Sequence, residues 1–300
     1  MLEWTQQAFI GARKPATGAQ VAGSLSRPVS AWAVVRATVV KDLQVELRYI
    51  PDRVASVVQL AFRVAFFLML SNQVAIKGAQ AVVGRDMSGR SAFIFFQGAL
   101  LLFVFNGTAL WTPVNAVTRD LYNGTLEFLY SNPSSRYGYF VGTVLANAII
   151  SQVLFVPLYL FLAFYSQATA ANMLMVLLVC LGVLVTLMAM GIMVALLGLL
   201  WRQVGSVAQV IGMMFEFLAG AYFPVTAFPR AVQYAAYLLP YTWGYDLVRY
   251  YSFGGRWNTI IPVWTEWLVL GAYAVLYKLL SRLLLVKAER HTKKTGLHLI

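Results

Sequence analysis

Three charged side chains stand inside long apolar runs, and their chemistry is that of ions held away from water. Arg63, Glu216 and Glu266 interrupt runs such as VASVVQLAFRVAFFLML and IGMMFEFLAGAYFPV. A charge in mid-helix costs about 2.5–3.5 kcal/mol on insertion scales. Glu216 is the deepest of the three. It either faces a cavity, where it binds a cationic or hydroxyl-rich substrate or pairs with a base, or it bonds a neighbouring helix. Arg63 either snorkels or pairs with Glu216. Glu266 is expected as an interface residue at the outer end of its run. Gln97, Asn106 and Thr108 share another apolar run, with Gln97 and Thr108 about three turns apart on nearly one face. Gln97, Asn106 and Glu216 are therefore the candidates for a translocation pathway. Polar bonding between helices is the rival reading for each.

Nothing in the chain assembles a reaction centre. The two histidines, His291 and His298, lie at the C-terminus, and the one cysteine, Cys180, is in an apolar run. One cysteine makes no internal disulfide, and this set holds no metal cluster. No G-x-x-x-x-G-K-[ST] loop cradles phosphates, so the chain itself is not expected to hydrolyse ATP.

The positioning elements are membrane helices. The sequence is 60% hydrophobic and 11% charged over 300 residues, against averages near 45–50% and about 25%. Lipid must solvate much of such a chain. This excludes a soluble enzyme, a nucleic-acid-binding domain and a disordered regulator. Six stretches reach the length of about 20 residues needed to cross a bilayer: 54–76, 92–114, 138–165, 172–198, 206–223 and 262–286. With both termini in the cytoplasm, fifteen Lys and Arg fall inside and six outside, which is the orientation that basic inner loops favour. The net charge of +12 is thereby explained without nucleic acid.

Three further segments are expected to be ordered without spanning. Residues 31–50 form an amphipathic interface helix with Val35, Val39, Leu43 and Leu47 on one stripe, ended by Pro51. In the inner loop, Gly124 closes a helix continuing from span two and Thr125 caps a short new helix with Glu127 in its first turn. Asn132-Pro133 stops that helix, and Ser134 or Ser135 caps span three. On the outer side, Pro229 opens a helix that Pro240 ends, and Thr242 caps another through Tyr251. These two dip into the outer leaflet without crossing it. Residues 1–28 are read as a mobile cytoplasmic tail, 29–286 as the membrane domain and 287–300 as a basic cytoplasmic tail.

The run from Asp120 through Gly124-Thr125-Leu126-Glu127 to Pro133 and Ser135-Arg136 resembles the inner loop of type 2 ABC transporter permeases. The run Leu218-Ala-Gly220-Ala-Tyr-Phe223-Pro224, Phe228-Pro229 and Leu238-Leu-Pro240-Tyr-Thr242 resembles that family's fifth span and outer re-entrant segment. The resemblance covers residues 31–286. It implies an all-α fold of six transmembrane helices with an interface helix, a cytoplasmic coupling helix and an outer re-entrant segment. It further implies the permease subunit of an exporter in the plasma membrane, working as a dimer with itself or a homologous permease. No cofactor is expected on the chain, and ATP and Mg are expected on a cytoplasmic ABC ATPase subunit. Asp120, Gly124, Thr125, Glu127, Phe128 and Arg136 would form the ATPase-coupling set. Asn123 departs from the pattern, standing where charge is frequent. Substrate is not carried over. An ion-coupled secondary transporter or channel remains the alternative, and it would need polar groups at broken helices near the midplane. Only Glu216 and the Gly/Pro residues near 220–224 point that way.

Overall fold

The computed structural model describes residues 30–48, 50–73, 89–122, 135–166, 168–200, 210, 212–214 and 216–295. Among them every regular element is helical, and five helices are long and apolar enough to cross a membrane. The elements in order are α1 (Ala31–Arg48), α2 (Ile50–Gln73), α3 (Arg90–Phe105), a π-helical segment (Asn106–Trp111) and α4 (Thr112–Tyr122). There follow α5 (Arg136–Ser166), α6 (Ala170–Leu200), α7 (Arg230–Tyr237), α8 (Pro240–Ser252) and α9 (Val263–Thr295). Spans one to four and six of the sequence reading lie on α2, α3 with its continuation, α5, α6 and α9. The fifth, 206–223, is described at 210, 212–214 and 216–223. Its described end is helical through Leu218 and then turns.

Span two is the axis of the bundle. Of its apolar window, Arg90–Ala116, 93% is buried by the rest of the chain, against 11% for α2 and for α9. A helix hydrophobic on every face belongs inside, and RSAFIFFQGALLLFVF is such a sequence. Phe95, Leu101 and Leu102 are fully enclosed there, in a core shared with α5, α6 and α8. The outward faces of α2, α5 and α9 carry Phe62, Phe66, Leu160, Phe164, Leu268 and Leu283 exposed, as lipid-facing residues should be.

Local signals set several boundaries. Ser135 caps α5, its Oγ accepting from Gly138 N at 3.1 Å, as the sequence reading allowed. Pro240 does not merely end α7 but opens α8, with Leu239 as the capping residue, because proline's missing N–H costs nothing in a first turn. Thr242 is consequently one turn inside α8. Its hydroxyl donates to Ala236 O at 2.5 Å, tying α8 back to α7. At the other end α9 continues past the membrane window to Thr295. Lys287, Arg290, Lys293 and Lys294 thus lie on its last turns, where cations suit the helix dipole.

The interface helix is present, and its packed face takes in part of the apolar stripe, with Val35 buried and Val39 and Leu43 half-buried. Val35, Thr38 and Asp42 are buried, while Leu47 is 72% exposed. The reason lies on α5. A Cβ added at Gly142 would sit 2.7 Å from Thr38 Cβ and 2.9 Å from Val35 O, and one at Gly138 would sit 3.1 Å from Ala31 O. Two glycines four residues apart let the backbones touch, the usual way helices associate in lipid. Trp32, Val40 and Leu47 are left outward as the lipid-facing stripe. Gly142→Leu is expected to cost about 1–3 kcal/mol through overpacking and to pry α1 off. The readouts are a lower thermal midpoint of the purified protein and faster proteolysis ahead of α2. An unchanged midpoint would refute this contact.

Candidate functional site

The charged residues of the apolar runs collect at two places. The first is in mid-membrane. Arg63 of α2 lays its guanidinium over the Phe103 ring at 3.8 Å, and both line one pocket with Glu216, Tyr222 and Tyr245. Tyr222 and Glu216 stand together in that lining. The pocket holds about 10 Å³, room for a single water at most. It is a closed polar junction among spans one, two and five, with the aromatic face of Phe103 offsetting part of the cost of the cation. Arg63 therefore turns inward toward Glu216 rather than snorkelling.

The second place is the outer segment. Arg249 of α8 is 3% exposed. Its Nη2 donates to Gly220 O at 2.6 Å and Ala221 O at 3.1 Å, and its plane covers Phe95 at 3.6 Å. Asp246, one turn earlier, accepts from Trp257 Nε1 at 2.6 Å and Ile260 N at 2.8 Å. Glu266, in the first turn of α9, is fully buried. The cause is α8, which folds over the outer end of α9. Glu266 stands beside Asp246, and its Oε1 accepts from Ile261 N at 3.5 Å. Arg249, Asp246 and Glu266 thus bolt α8 to the end of span five, to span two and to span six.

The pathway candidates separate. Gln97 is completely buried, and its Nε2 donates to Leu158 O of α5 at 3.2 Å. That bond joins two helices of one chain. Asn106 opens the π-helical segment, and its side chain lies outside the described residues. The π segment is a feature no sequence rule announced. The α6 backbone at Gly191 presses on it, and a Cβ there would collide with Ala109 O and come within 3.1 Å of Leu110 Cα. Such segments mark places where a helix register is changed, so the constant helical spacing assumed between Gln97 and Thr108 does not hold through it. Glu216 reaches the junction with Arg63, and Gln97 does not line it.

Between spans two and three, α4 carries the chain to Tyr122 and α5 resumes at Arg136. Gly124, Thr125, Glu127 and Phe128 lie outside the described residues, as do the side chains of Asp120 and Arg136. Residues of α1, α2, α3, α4 and α5 line two adjoining open cavities, of about 670 Å³ and about 240 Å³.

A search of curated proteins found no match. A family model described as ABC-2 type transporter matches residues 32–253, from α1 through the end of α8. The match thus takes in the clamped interface helix, the enclosed second span, the inner loop and the bolted outer helices, about three-quarters of the chain. The chain belongs to the ABC-2 type transporter family, as a membrane component with multiple helical spans.

Proposed function

We propose that this chain is the permease subunit of an ATP-driven exporter, moving substrate out of the cytoplasm or the inner leaflet with a separate ATPase subunit. The family match over residues 32–253 carries this reading. The absence of a phosphate loop from the sequence supports a separate engine, with ATP and Mg held on that partner. The fifteen-to-six division of Lys and Arg supports cytoplasmic termini in a plasma membrane. A second copy, or a homologous permease, completes the pathway.

Asp120, Gly124, Thr125, Glu127, Phe128 and Arg136 form the coupling set in this reading. The mechanical connection is short. Residues 123–134 join directly to α4, which continues span two through the π segment. When nucleotide closes the ATPase pair, displacement of the coupling segment pulls on the inner end of the helix that the whole bundle surrounds. The π segment is where that helix gives, because it interrupts the regular i→i−4 ladder of the span. The free energy comes from the different docking of the coupling segment on the two nucleotide states. Substrate passes beside Glu216, whose closed junction with Arg63 and Tyr222 must open for it. Gln97 and Asn106 stay with the proposed pathway, with Gln97 placed as the bond that holds spans two and three together.

The test is a mild-detergent pull-down of the tagged protein from its own membranes, read by mass spectrometry. A stoichiometric soluble subunit with a phosphate-loop motif is expected. Recovery of the chain alone across several detergents, with proton-driven uptake into vesicles free of ATP, would overturn the proposal.

A further inference from the structure

The two cavities at the inner end of the bundle share Glu46, Thr112 and Asn147 as walls, so they form one space with two characters. The larger part is apolar and runs between α2 and α5 along Val57, Leu60, Ile150, Val153 and Leu154. Its far end is closed by Arg63 on Phe103. The smaller part is polar, walled by Asp42 of α1, Asn115 and Arg119 of α4, and Thr143 of α5.

Two atoms of the polar part have no partner. Asp42 is 3% exposed and Thr143 is 1% exposed, yet Asp42 Oδ2 and Thr143 Oγ1 meet no hydrogen-bonding group of the protein. The other Asp42 oxygen is occupied by Lys41 Nζ at 3.3 Å. Buried polar atoms are normally satisfied, and a carboxylate oxygen without a donor is costly. Residues outside this space do not account for Asp42 being buried. An alanine would pack against Gly142 and its neighbours at no such cost.

We propose that the joined cavities bind one aminophospholipid, with its ammonium on Asp42 Oδ2 and Thr143 Oγ1, its phosphate toward Arg119 and one acyl chain in the cleft between α2 and α5. The charge order matches a zwitterionic headgroup: a buried carboxylate deep in the polar part and an exposed guanidinium on its wall. A soluble amine would leave the apolar part empty, and an anionic lipid would bring like charge to Asp42. The combined volume is in the range of small-molecule sites, about 300–1,000 Å³. Entry is lateral, beside the lipid-facing stripe of α1. Placing the site in the inner leaflet rests on the orientation proposed above; the binding itself does not.

The experiment uses the full-length protein in phosphatidylglycerol nanodiscs carrying a trace of phosphatidylethanolamine with a photoreactive acyl chain. Adducts are expected around Val57, Ile150 and Leu154. Unlabelled phosphatidylethanolamine should displace them about tenfold more effectively than added phosphatidylglycerol, the value of one charge-assisted hydrogen bond. Asp42→Asn should abolish that preference while leaving acyl adducts in the cleft, and Ile150→Trp should remove the adducts by filling it. Equal displacement by the two lipids on the wild-type protein would overturn the proposal, as would adducts spread over exposed faces such as Leu178 and Val185 of α6, the mark of lipid merely surrounding the bundle. The readout needs neither an ATPase nor transport, so its failure and failure of the exporter reading are separate results.

Discussion

Arg249→Met is expected to destabilise the protein by about 3–5 kcal/mol, the largest loss for a single change in the described membrane region. An apolar isostere often replaces a buried ion pair without harm, so the outcome depends on what the arginine leaves behind. Here it leaves the carbonyls of Gly220 and Ala221, both served by Nη2. It also leaves Asp246 and Glu266 with no cation beside them, although Arg249 and Asp246 attract each other in the intact protein. Methionine keeps some contact with Phe95 but supplies no donor. Lysine is expected to restore only part of the loss, since an ammonium cannot lie flat on the ring while bonding two carbonyls on one side. Thermal unfolding in detergent, followed by size-exclusion, is the measurement. A methionine variant with the wild-type midpoint would show that the outer bolt contributes nothing. If the bolt matters to transport as well as to folding, Lys should lose activity at temperatures where it is still folded.

The same residues show what the sequence disclosed and what it withheld. Long apolar runs are legible because a bilayer leaves a helix no other option for its backbone, and five of the six spans read this way lie on helices among the described residues. The cap at Ser135 was legible because it is local. The fate of Glu266 was not, because its neighbour Asp246 is twenty residues earlier and reaches it only after α8 folds back. The packed face of α1 was legible only in part for a related reason. Periodicity ranks side chains by apolarity, which selects Val35, Val39, Leu43 and Leu47. In lipid an apolar face is equally content facing tails, and close approach is decided by small residues instead. That signal was present in Gly138 and Gly142, at the spacing of one helical face. It became informative only beside a partner helix with Thr38 at the matching height. The π segment had no comparable signal.

Glu127→Arg is expected to reduce transport by roughly 30-fold or more while leaving the amount of protein in the membrane unchanged. Two effects act in the same direction. In the first turn of a short helix, an acidic side chain gains about 0.3–1 kcal/mol from the dipole, and a basic one loses a similar amount. The short helix expected from Thr125 would be marginal by itself, so this already weakens the proposed docking element. The second effect is at the contact. If the coupling set meets a complementary surface on the ATPase, reversing one charge removes an attraction and installs a repulsion, a change of about 2–5 kcal/mol for a desolvated pair. Even its lower limit is near 30-fold in a binding constant. Expression should be spared because span two is held in the core that it shares with α5, α6 and α8. Glu127→Gln separates the two effects. It keeps helix-forming character and loses only the charge, so it should fall between wild type and Arg in both ATPase recovery and transport. Full transport by the Arg variant at normal expression would remove Glu127 from the coupling set, and the shared motif would then have to act through Asp120 and Arg136.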